Sequence, residues 1–180
     1  MPKKITSKQI ILAILAFVTV NLLAGYGTVI LGIDIPGIYA TLNKPSFAPP
    51  TWVFGSVWTF NTILFTYGFL VTLNSPDSIA RTNLLRIDYL IILNYIVFQY
   101  LSFGSGLLFG AIIPAMFFWP TFSMLVLVIL AIIQAYKIDT SSTTFSKNIK
   151  SLQSITCSFL PLVSWLLIAT ALGLSIWLKN

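Results

Sequence analysis

Long runs without a charged residue, separated by short polar breaks, divide the chain into residues 9–33, 45–76, 89–136 and 151–178. Each is long enough for the ~20 apolar residues that cross the hydrocarbon core of a bilayer. The third run is too long for one crossing, and Ser102, Gly104, Gly106, Gly110 and Pro114 interrupt it where a helix would break. Splitting it there predicts five membrane-spanning helices, over about 8–31, 51–73, 84–103, 108–136 and 152–178, in a single transmembrane domain covering 1–180. Pro114 and Pro120 predict a kink or a fresh start early in the fourth helix. Gly25, Gly27 and Gly32 at the end of the first predict close approach of a neighbouring backbone.

Charge placement supports the split. With five spans, Lys3, Lys4, Lys8, Arg81, Arg86, Lys137, Lys147 and Lys150 share the side of the N-terminus, and only Lys44 and Lys179 lie opposite. A four-span chain would spread them almost evenly, against the excess of Lys and Arg expected in cytoplasmic loops. The expectation is therefore an all-α integral membrane protein, a multi-pass five-helix bundle with its N-terminus inside. At 57% hydrophobic and 8% charged residues the composition agrees, since soluble domains carry about 25% charge. The first apolar run exceeds the length of a signal-peptide core, so it is read as a helix that stays. The formal charge of +6 is scattered in ones and twos, without the dense basic stripe of a nucleic-acid binder. The stretch 138–150 reads as a solvated loop on the N-terminal side.

The chain contains no histidine, and its four acids are all aspartates: Asp34, Asp77, Asp88 and Asp139. Histidine triads, His/Cys metal sites and paired-carboxylate hydrolysis have no residues to be built from, and no metal site is expected. All four aspartates read as lying at or near span ends, Asp88 included, so the intramembrane ionisable group typical of ion-coupled transport is not evident. Asn21, Asn61, Asn94, Gln99 and Gln134 fall inside spans, where interhelical hydrogen bonding is their ordinary use. The lone Cys157 has no disulfide partner in the chain.

The most distinctive stretch is 39–58. Pro45, Pro49 and Pro50 fix φ and remove backbone donors, which predicts no helix in it before Pro50 and a helix starting there. A loop over about 33–50 then becomes a lid above the second span. Trp52 and Trp58 stand on the first turns below it, and Trp165 near the middle of the fifth span serves either as core packing or as the wall of an apolar pocket. Trp119 and Trp177 read as interfacial belt residues.

The pattern Tyr39, Leu42, Lys44-Pro45-Ser46-Phe47, Pro49-Pro50, Trp52-Val53-Phe54-Gly55 and Val57-Trp58 resembles the signature of the TspO/MBR family, the translocator proteins and tryptophan-rich sensory proteins. Leu160-Pro161, Ser164-Trp165, Ala169-Thr170, Ile176-Trp177 and Asn180 are similar to its fifth helix, and Leu93-Asn94-Tyr95 to its third. The resemblance implies a five-helix bundle, a homodimer, in contact with the lipid bilayer and with no nucleic-acid partner. It also implies a pocket beneath the first loop for tetrapyrroles such as protoporphyrin IX or, as in animal members, a sterol. No cofactor is required; the tetrapyrrole is the expected ligand.

Carried over position by position, Tyr39, Phe47, Trp52, Asn94, Trp165 and Ala169 are the expected ligand contacts, and Lys44, Pro45, Pro49 and Pro50 shape the lid. The chain departs from the family pattern at Ile38, Phe47, Ser56, Leu162 and Gly173. The family includes members linked to light-dependent porphyrin breakdown by pocket tryptophans. Phe47 keeps the stacking surface of the residue it replaces but lacks the indole N–H and the easily oxidised ring. The expected function is thus a membrane receptor, sensor or carrier of lipophiles. A porphyrin-degrading enzyme, or a regulatory subunit whose groove holds a partner helix or lipid, are the alternatives.

Overall fold

A computed structural model of the protein describes residues 5–141 and 154–180. Lys3, Lys4, Lys147 and Lys150, and the stretch 138–150 from residue 142 on, lie outside the described residues. Among the described residues, five helices are long and apolar enough to cross a membrane: α1 (Ser7–Ile30), α3 (Thr51–Asn74), α4 (Ile79–Ser102), α6 (Ala115–Ser141) and α7 (Ile155–Lys179). Two short helices, α2 (Ile35–Thr41) and α5 (Ser105–Phe109), lie in the connections, and the described residues contain no strand. The long spans pack as a ring in the order α1, α3, α7, α6, α4 and back to α1.

The rigid part of the ring is the α4–α6–α7 side. On α6, Met124, Val128, Ala131, Ala135 and Ile138 alternate by three and four residues and are buried to 4% exposure or less. That spacing draws one stripe along a helix. Ile155, Phe159, Leu162 and Leu166 draw the matching stripe on α7, and Leu84 and Ile91 add α4. The small Ala131 and Ala135 let these helices approach closely, as association within a membrane requires. Gly173 on α7 brings the backbones together further: a Cβ there would collide with the carbonyl of Phe117 on α6. At the end where the chain passes from α6 to α7, Asp139 accepts hydrogen bonds from the backbone N–H of Ile155 (3.3 Å) and Thr156 (3.0 Å) and from the Thr156 hydroxyl (2.7 Å), capping α7.

The α1 side is looser. Ala24 and Thr28 are the buried residues of α1, and most of its remaining apolar side chains are exposed. A π-helical turn at Leu22–Tyr26 interrupts it. The Tyr100 hydroxyl of α4 donates to the carbonyl of Leu23 (2.6 Å) and Thr28 donates to that of Gly25 (2.5 Å). These two bonds occupy carbonyls that the widened turn frees. At Gly27 the Tyr100 hydroxyl occupies the space where a Cβ would stand, so a side chain approaches the glycine-rich segment where the sequence predicts a backbone.

Several sequence expectations need correction. The fourth span starts at Ala115 rather than near 108; Gly110, at φ 78°, ends α5, and Pro114 then stands just before the new helix. Residues 39–41 are helical although they precede Pro50, because the first of the loop prolines stands only at 45 and Pro36 occupies the first turn of α2, where its missing N–H costs nothing. Pro50 is the cap before α3 rather than part of its first turn. Residues 138–141 continue α6. Asp88 does not lie at a helix end. It is fully buried inside α4, between Leu84 and Ile91, and neither carboxyl oxygen has a hydrogen-bond partner.

Two measurements check this account. Gly173→Ala is expected to push α6 from α7 and lower stability by about 1–3 kcal/mol, read from thermal unfolding in mild detergent. Asp88→Val replaces an unpartnered buried carboxyl with an apolar group and is expected to raise stability by about 1–3 kcal/mol in the same assay.

Candidate ligand-binding site

The segment from Asp34 to Pro50 is built as a plate. Asp34 caps α2 by accepting from the Gly37 N–H (3.0 Å). At the other end of α2 the Lys44 ammonium donates to the carbonyls of Tyr39 (2.6 Å), Leu42 (3.1 Å) and Ala40 (3.3 Å), and it sits 4.8 Å from the centre of the Tyr39 ring. A cation is well placed there, against unpaired C-terminal carbonyls and an aromatic face. The Tyr39 hydroxyl donates to the carbonyl of Pro49 (3.0 Å), tying α2 to the proline run. Burial pushes the Tyr39 phenol above its ordinary pKa, so it stays a donor at neutral pH.

The plate is fixed to the rigid side of the bundle. Tyr39 and Leu42 pack with Phe117 of α6 and with Leu172 and Ile176 of α7. Asn180 clamps the plate as well, accepting from the Asn43 N–H (3.0 Å) and donating to the Asn43 carbonyl (3.1 Å). Trp119 and Trp177, read as belt residues, cluster at this end with Phe118 and Phe122, their own rings 5.9 Å apart.

Beneath the plate, on the loose side, lies a cavity of about 710 Å³ between α1, α3 and α4. Ile35, Pro36 and Tyr39 of α2 form its roof, Phe54 and Trp58 of α3 one wall, and Phe98 of α4 with Phe103 just past its end another. Trp58 and Tyr95 meet with ring centres 4.8 Å apart and close the floor. Asn21, Gln99 and Thr28 supply scattered polar groups; Asn21 accepts from the Tyr95 hydroxyl (3.3 Å). Asp34 is the one charged residue of the lining, and it already caps α2. The lining thus offers large aromatic faces and a few hydrogen-bonding groups. Among the described residues no group of His, Cys, Asp or Glu is arranged to hold a metal ion.

Of the six expected contacts, Tyr39 lines this cavity. Trp165 is buried one layer behind, its ring edge-on to Phe54 at 5.6 Å, with Phe54 in turn edge-on to Tyr39 at 5.3 Å. Phe47 and Trp52 are 53% and 73% exposed on the surface. Asn94 faces away, into an open groove between α4 and α6, where it donates to Ser123 (2.6 Å). Ala169 is half-buried on α7 and outside the lining. Among the lid positions, Lys44 and Pro49 hold α2 as described, and Pro45 and Pro50 accept turn hydrogen bonds from Ala48 (3.1 Å) and Val53 (3.0 Å).

The cavity residues not among the expected contacts carried a readable signal. Phe54 and Trp58 are four apart and share a helix face, whereas Trp52 and Trp58, six apart, lie about 120° apart around the helix. Tyr95 is turned about 100° from its neighbour Asn94, which carries it from the groove to the cavity.

No curated protein sequence matches the chain significantly. The profile of the TspO/MBR family, in contrast, matches residues 12–178 of the 180, from within the first span to within the fifth. With its five membrane-spanning helices and a lidded aromatic cavity, this chain belongs to the TspO/MBR family and is a multi-pass integral membrane protein.

Proposed function

We propose that the cavity under α2 binds tetrapyrroles such as protoporphyrin IX, or flat lipophiles of similar size such as sterols, and that the protein acts as their membrane receptor, sensor or carrier. The observation that carries this reading is the cavity itself: about 710 Å³, within the range of small-molecule sites, with the aromatic rings of Phe54, Trp58, Tyr95, Phe98 and Phe103 on its walls and floor. A planar macrocycle gains buried area and stacking from such walls, and few polar groups are needed to orient it. The family assignment supports the same ligand class. Family resemblance likewise supports a homodimer, and the charge distribution supports an N-terminus on the inner side, with the plate on the outer face.

Titrating protoporphyrin IX into the protein in mild detergent is expected to quench tryptophan fluorescence saturably in the micromolar range; quenching without saturation would rule out the site. Trp58→Ala should weaken binding about tenfold or more, while Trp52→Ala should change it by less than about twofold, because only Trp58 lines the cavity. Trp165→Phe should fall between them, acting through Phe54. Asn180→Ala removes the clamp on Asn43, and stopped-flow dilution of the loaded protein should show faster ligand release with a smaller change in the association rate.

A further inference from the structure

Below the floor of the main cavity lies a second chamber of about 40 Å³, and all five membrane-spanning helices contribute to its walls: Val20, Asn61, Ile91, Met124 and Leu162 come one from each. Trp58 and Tyr95 line both spaces, so the floor of the upper one is the roof of the lower. Forty cubic ångströms exceeds the ~10–15 Å³ that one water molecule requires and suits a single small functional group.

Asn61 projects into this chamber. It is 2% exposed, and its Oδ1 has no hydrogen-bond partner. The two hydroxyls of the lining are engaged: that of Thr62 donates to the Trp58 carbonyl (2.6 Å) and that of Tyr95 to Asn21 (3.3 Å). The usual use of a membrane asparagine, a hydrogen bond across helices, is met at Asn94 by its amide nitrogen, which donates to Ser123 while its oxygen stays unpartnered; the Asn61 oxygen has no partner either, and Asn61 is the one of the two that lines this chamber. The walls carry no ionised side chain, so a charged group would lose its hydration without a counter-charge, whereas a neutral hydrogen-bonding group would meet the Asn61 amide.

We infer that this chamber is the terminal subsite of the main cavity, receiving the neutral hydrogen-bonding end of a lipophile, a hydroxyl, lactam or carboxamide, and that Asn61 is the residue that selects it. The inference rests on the reading of the main cavity as a ligand site. Entry requires the Trp58–Tyr95 contact to part. The long Tyr95–Asn21 hydrogen bond is the latch that has to open. The ring system then remains above, against Phe54 and Phe98, while the polar end reaches the bundle axis.

The test compares 1-pyrenebutanol with 1-pentylpyrene, which differ by a hydroxyl in place of a methyl. Binding is read by energy transfer from tryptophan to pyrene and corrected for micelle partition measured without protein. The wild-type protein should bind the alcohol about five- to tenfold more tightly, the range of one net hydrogen bond in a buried site. Asn61→Leu should abolish that preference while leaving 1-pentylpyrene within about twofold, and Asn61→Ala, read on the same ratio, serves if the leucine variant does not fold. Saturable binding of both probes without preference, or a preference that survives at position 61, overturns the subsite and leaves the main cavity standing. Absence of saturable binding by either probe, and by protoporphyrin IX, removes both.

Discussion

Close contact between α6 and α7 is the constraint from which the remaining architecture follows. A membrane supplies little hydrophobic drive for helices to associate, so they must gain by packing, and small residues make that packing possible. Ala131, Ala135 and Gly173 supply it here, and Asp139 fixes the register by capping α7 from α6. With α4 joined to this pair, three of the five spans form a wall. α3 leans on that wall through α7, and α1 closes the ring with few buried residues of its own. The unfilled volume of the bundle therefore collects beside α1.

The plate above the cavity depends on the same seam. Tyr39 and Leu42 sit on the lid-end turns of α6 and α7, and Asn180 at the end of α7 grips Asn43. Lys44, which might have been read only as a topology signal, closes α2 by three carbonyl contacts and covers the Tyr39 ring. A roof held on one side and a helix loosely held on the other give a cavity a firm ceiling and a yielding wall. That combination suits bulky, flat, lipid-soluble molecules.

Polar residues within the spans divide by what meets them. Asn21, Asn94 and Tyr100 find partners on neighbouring helices and tie the ring together. The amide oxygens of Asn61 and Asn94, the Asp88 carboxyl, the Trp165 indole N–H and the Thr170 hydroxyl are buried and find none. Unpaired polar groups inside a bundle oppose its stability, so their presence marks places where packing alone does not account for the residue. For Asn61 the adjoining chamber provides the reason.

How much of this was legible beforehand varies with the physical origin of each feature. The five spans follow from unbroken apolar runs, since the bilayer demands about 20 residues of satisfied backbone whatever their neighbours are. The family was legible in the motif around Lys44-Pro45 and in the fifth-helix pattern, and the start of α3 in the prolines of the segment above the cavity. Which side chains meet beneath that lid was not. Trp52, Phe47 and Asn94 are near the right loop or helix in sequence, yet Phe47 lies on an exposed turn, and the rotation of α3 and α4 turns Trp52 and Asn94 away and brings Phe54, Trp58 and Tyr95 inward instead. Asp88 looked close to a helix end because the apolar run begins after it, but α4 starts nine residues earlier, and its inner face carries the carboxyl into the core. The sequence by itself determined the number of spans, their approximate places and the family. Only the tertiary structure decided which face of each helix lines the cavity, because that depends on helix rotation set by contacts such as Gly173 on Phe117 and Tyr100 on Gly27, between residues far apart in the chain.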